Sequence, residues 1–80
     1  MNSHARVSRT IVGLELTVDH RGHAIRAIVT REALEALFNA VISGPEALLH
    51  IYRQHTREIE AAILERYALV KQEPVVLHRN

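Results

Sequence analysis

The sequence predicts an α+β fold of two layers, a small antiparallel sheet packed on one face by two helices in the order β-β-α-α-β. Three observations predict it. Apolar Val12, Leu14, Leu16 and Val18 alternate with Gly13, Glu15 and Thr17, the period of a half-buried strand, and a second such run spans residues 23–29 beyond a glycine-bearing turn. Two capped amphipathic stretches then fill residues 30–70. Finally, Val75-Val76-Leu77 follows Glu73-Pro74, where proline blocks helix continuation and the β-branched run suits a third strand or a docked tail.

In the first hairpin, Asp19-His20-Arg21-Gly22 reads as the turn, with Asp bonding the following backbone and Gly free to take positive φ. A two-residue loop of His20-Arg21 would set Glu15 opposite Arg26. It would turn Ile25, Ala27 and Val29 inward with Val12, Leu14, Leu16 and Val18, whereas a three-residue loop would flip one strand's faces. The first choice buries fewer charges.

Thr30 before Arg31-Glu32-Ala33-Leu34 reads as a helix N-cap with an acid in the first turn, facing the positive end of the dipole. Leu34, Leu37, Phe38, Val41 and Ile42 form its apolar stripe. Ser43-Gly44-Pro45-Glu46 is a second start, with Ser and Glu at capping-box spacing and proline in the first turn. From it one long helix carries the stripe Leu48, Tyr52, His55, Ile59, Ala62, Ile63, Tyr67 and Val70.

With 80 residues the chain makes one domain, assigned to residues 11–80, and the polar residues 1–10 read as a flexible N-terminal segment. A core this small leaves a thin stability margin, for which oligomerisation is one remedy. Without cysteine the chain has no disulfide, no thiolate nucleophile and no Cys-ligated zinc, which suits a cytoplasmic location. No signal peptide or membrane-spanning run is expected, and a formal charge of +1 predicts neither nucleic-acid nor membrane affinity.

The run Gly22-x-x-Ile25-x-Ala27-x-Val29-Thr30-x-Glu32-Ala33-Leu34, then Phe38, then Leu49-x-x-Tyr52-x-x-His55-x-Arg57, with Ile59, Ala62 and Tyr67 beyond, resembles a small bacterial family. It is the domain-of-unknown-function family numbered fourteen eighty-eight. The resemblance covers about residues 22–70 and is sharpest over Val29-Thr30-Arg31-Glu32-Ala33-Leu34. It implies a two-layer α+β fold, an antiparallel sheet backed by two helices, and no assigned activity. Two departures stand out: Ala27 occupies a position often held by Cys, and Phe38 is followed by Asn39 where that family has Gly.

Few residues invite chemistry. Six histidines suggest a metal, but His50 and His55 are five apart, about 140° around a helix, and His20 with His23 at the turn lacks a third ligand. No metal or cofactor is therefore assigned. Asp19 with His20, and Glu46 with His50, are the two pairs that could serve acid-base catalysis, and both read more simply as a turn residue and a helix-surface pair. Arg53 and Arg57, joined by Arg66, make a candidate anion or nucleic-acid contact, with Glu60 placed to relieve Arg57. No aromatic platform interleaves these cations as single-strand binders need.

The sheet's second face is the stronger clue. It carries Ile11, Gly13, Glu15, Thr17, Ala24, Arg26 and Ile28, and two helices cover only one side of a sheet. Ile11, Arg26 and Ile28 are accordingly the expected interface residues of a homodimer. The functional expectation is a non-catalytic protein-interaction or regulatory module, and the alternative is a weak nucleic-acid or anion binder.

Overall fold

The computed structural model describes residues 3–9 and 12–78. Its elements are β1 (Ser3–Val7), β2 (Gly13–His20), β3 (His23–Thr30), α1 (Arg31–Phe38), α2 (Pro45–Gln54), α3 (Thr56–Val70) and β4 (Val75–Leu77). The four strands form one sheet in the order β1-β2-β3-β4. The first two pairings are antiparallel, and β4 joins β3 in parallel. The fold is α+β in two layers as the sequence predicts, but the sheet is mixed, has four strands, and is backed by three helices.

The parallel closure follows from the connection. A parallel neighbour needs a crossover of a dozen or more residues, and the helical segment between β3 and β4 supplies it. The alternation then sorts the sheet into two faces. Leu14, Leu16, Val18, Ile25, Ala27, Val29 and Val75 are at most 3% exposed and pack with Leu34, Ile42, Leu48, Ile59 and Ile63 of the helical layer. Val12 departs from the expected inward set and is 59% exposed, because β2 begins one residue later.

The hairpin turn is Arg21-Gly22, with φ of 53° and 79°, the two-residue geometry whose twist matches that of the strands. His20 therefore pairs with His23, and Glu15 faces Ile28 and not Arg26. The register is shifted by two residues from the expected one, so every side chain keeps its expected face. The segment expected to be flexible holds β1, whose Ser3, Ala5 and Val7 share the inner face and whose Ser3 hydroxyl bonds the Tyr52 hydroxyl.

Three chain segments meet at Gly13. Ser8 N–H donates to Gly13 O (3.0 Å) and Arg31 N–H to Val12 O (2.9 Å), while Gly13 itself pairs with Thr30. A Cβ at Gly13 would lie 2.3 Å from Val29 O, so only glycine fits this crossing.

Thr30 caps α1 as expected, its Oγ1 accepting from Ala33 N–H (3.2 Å). The α1–α2 loop is clasped by Glu35, whose Oε2 accepts from Ile42 N–H (2.9 Å) and whose carbonyl accepts from Ala40 N–H (3.2 Å). Ile42 is thereby buried, while Leu37 and Val41 are 50% and 93% exposed and leave the expected stripe. The capping box at Ser43 does not form: Gly44, with φ of 88°, is the N-cap of α2 and has no side-chain cap bond.

The single long helix is broken at His55 (φ −127°, ψ 31°). Its ring stacks on Phe38 of α1 at 4.0 Å and its Nδ1 bonds Glu58 (2.8 Å), so the break is anchored to the neighbouring helix. Thr56 Oγ1, donating back to Tyr52 O (2.6 Å), spans the break.

Candidate functional site

All three helices lie against the inner face, so the outer face of the sheet is uncovered. Two rows of side chains cross it. Arg6, Glu15, Ile28 and Val76 are successive cross-strand neighbours in one, and His4, Thr17 and Arg26 in the next. All of these but Val76 line a concavity of about 460 Å³, together with Pro74. Both charge signs are present, and the large apolar side chains of the face are Ile28, which is half-buried, and beside it Val76, which is 40% exposed.

Glu15 is held by its neighbours. Arg6 Nε donates to Oε1 (2.9 Å), Arg6 Nη2 lies 2.7 Å from the same oxygen, and Ser8 Oγ donates to Oε2 (3.0 Å). The Arg6 bond first, then the Ser8 bond, hold the Glu15 carboxyl below the usual carboxylate range. Arg26 is anchored through its backbone: its N–H donates to Glu73 Oε1 (2.9 Å), while His23 Nε2 meets Glu73 Oε2 (2.8 Å). These bonds, the Arg26 amide first and His23 second, likewise lower the Glu73 carboxyl. The Arg26 side chain is exposed and forms no ion pair among the described residues.

Of the expected interface residues, Arg26 and Ile28 stand side by side on this face, Ile28 half-buried where full exposure was expected, because Glu15 and Val76 flank it. Ile11 lies outside the described residues. The sequence reading missed His4 and Arg6, since residues 3–7 become a strand only by pairing with β2. The signal available was the short alternation of Ala5 and Val7 with His4 and Arg6.

The expected basic patch is divided between two helices. Arg53 lies on α2 and Arg57 on α3, across the break at His55, so they are not one turn apart on a continuous helix. Arg66 is nine residues beyond Arg57 on α3, about 180° around the axis. All three are exposed, and Glu60 is 6% exposed without an ion pair to Arg57.

The candidate acid-base pairs are likewise separated or unlinked. Asp19 and His20 are consecutive strand residues and point to opposite faces. Glu46 and His50 border a shallow depression on α2 with Arg53, but no hydrogen bond joins them. His23 is committed to Glu73 and lies 6.5 Å from the Tyr67 ring. Among the described residues no group of three or more His, Cys, Asp or Glu side chains could hold a metal ion, and no helix is long and apolar enough to cross a membrane. The outer sheet face is therefore the candidate site, and its chemistry is that of binding: fixed charges of both signs around a small apolar centre. No protein-family model, curated protein or solved structure matches this chain.

Proposed function

We propose that this chain is a non-catalytic, cytoplasmic interaction module whose uncovered sheet face binds a second copy of itself. The observation that carries the reading is the one-sided helical layer, which leaves a concave face bearing Arg6, Glu15, Arg26, Ile28 and Val76 open. Both signs of charge on one patch favour self-association, because an isologous contact sets each patch against its own copy. The family resemblance carries no part of this argument.

The face is small. Strands of eight residues span ~27 Å and three inter-strand gaps ~14 Å, on the order of 350 Å² a side against the ~800 Å² of a standard interface. The dimer is accordingly expected to be weak and to dissociate on dilution. Light scattering over a concentration series tests this: the molar mass should rise from 9.1 kDa toward twice that value, and Ile28→Lys should hold it at 9.1 kDa with an unchanged circular dichroism spectrum. A wild-type monomer at every concentration, or a dimer indifferent to Ile28→Lys, would refute the reading.

A further inference from the structure

The outer face is laid out to complement itself about one diagonal. Pairing sets Glu15 opposite Ile28 and Thr17 opposite Arg26, with strands ~4.8 Å apart and same-face neighbours ~6.8 Å apart along each strand. These four positions mark a rectangle with Glu15 and Arg26 at opposite corners. Four two-fold axes lying between facing copies are natural to such a rectangle: one along the strands, one across them, and one along each diagonal.

Three of the four fail on charge. The axis along the strands sets Glu15 against Ile28 and Arg26 against Thr17, and the axis across them sets Glu15 against Thr17 and Arg26 against Ile28. Either leaves Glu15 with Arg6 as its sole cationic partner and covers the Arg26 guanidinium against an uncharged side chain, which costs desolvation. The Glu15–Arg26 diagonal opposes each charge with its own kind. The Thr17–Ile28 diagonal alone matches opposite charges: Thr17 meets Thr17, Ile28 meets Ile28, and Glu15 of each copy falls within ~3 Å in projection of Arg26 of the other.

One row further out, the same axis brings Asp19 of each copy within ~3 Å in projection of His4 of the other. Neither side chain forms an ion pair among the described residues, and the Arg26 guanidinium forms none either, interacting with the Glu73 carboxylate only through space. Glu15 keeps acceptor capacity beyond Arg6 and Ser8, since a carboxylate has about four lone-pair sites. The strands of the two copies would cross at about 70°, nearer to orthogonal than to aligned sheet packing.

On the reading that the open face self-associates, we infer that two copies pair about the Thr17–Ile28 diagonal, with Glu15 of each against Arg26 of the other. Complementation between charge-reversed variants tests this. Arg26→Glu alone and Glu15→Lys alone each set like charges in both contacts, and each should read 9.1 kDa where the wild type reads twice that. An equimolar mixture restores an opposite pair at both contacts and should recover the dimer mass. Circular dichroism confirms that each variant is folded. Because Glu15→Lys also removes the Arg6 and Ser8 contacts, His4→Glu, which sets a carboxylate against Asp19, and its mixture with Asp19→Lys repeat the test away from them.

Variants that stay dimeric alone while Ile28→Lys is monomeric would overturn the diagonal and leave the open face as the interface. Folded variants whose mixtures stay monomeric would overturn the diagonal in the same way. A monomeric wild type would overturn both statements.

Discussion

The two faces of this sheet are written by the same strands, residue by residue, yet they obey different rules. On the covered face Leu14, Val18, Ile25, Val29 and Val75 are fully buried, in one cluster with Leu34, Leu48, Ile59 and Ile63 of the helices. On the open face, one residue away along the chain, Glu15 and Thr17 are half-buried and Arg26 is exposed, with only cross-strand neighbours to satisfy. Alternation thus separates what holds the protein together from what is free to bind. Stability should be lost through Leu14, Leu16 and Val18 of β2, and association through Glu15 and Thr17.

Leu14→Ala is the largest effect expected from that division. It opens a cavity in the core and should cost ~2–5 kcal/mol in urea unfolding, while Ile28→Lys on the open face should leave the unfolding midpoint close to wild type. Equal losses for the two would erase the distinction between the faces. Gly13→Ala is next. Gly13 lies at the start of β2 where β1, β3 and α1 converge, and an added methyl must push against the Val29 carbonyl. A destabilisation of ~1–3 kcal/mol is expected, as for overpacking. A neutral outcome would mean that the three-way junction yields without cost.

The comparison also explains what could be read in advance. The covered face was legible because burial writes a periodic apolar pattern, and the Thr30 cap because its hydrogen bond is local. Assignments that depend on distant partners were not. Residues 3–7 alternate only weakly and become β1 by pairing with β2; the break at His55 interrupts an unbroken apolar stripe because its ring stacks on Phe38. The hairpin register slipped by two since His20-Arg21 suits a two-residue loop as well as Arg21-Gly22, and nothing local marks Arg21 for positive φ. At the candidate site, the outward direction of Arg26 and Ile28 follows from strand parity. The Arg6–Glu15 pair does not, because it needs β1.

The smallest expected effect sharpens the comparison at low pH, where one lowered carboxylate serves each part of the sheet. Glu15 is held by Arg6 and Ser8 on the open face. Glu73 instead ties the chain entering β4 to β3, through the Arg26 amide and His23, just before Val75 docks into the core. Both carboxyls sit below their ordinary value of 4.5, so between the folded and unfolded values the unfolded chain binds more protons and stability rises with pH. Their contribution is complete above that value and is lost as pH falls through the folded ones. Thermal unfolding followed from pH 7 to pH 3 should show a falling midpoint in the acid range, shallower in Glu15→Gln and in Glu73→Gln. The two variants should differ at neutral pH: Glu73→Gln loosens β4 and lowers the midpoint, whereas Glu15→Gln removes a contact that spans only the exposed edge of β1 and β2. Identical midpoints at neutral pH would show that the Glu73 clasp does no more for the core than a surface ion pair.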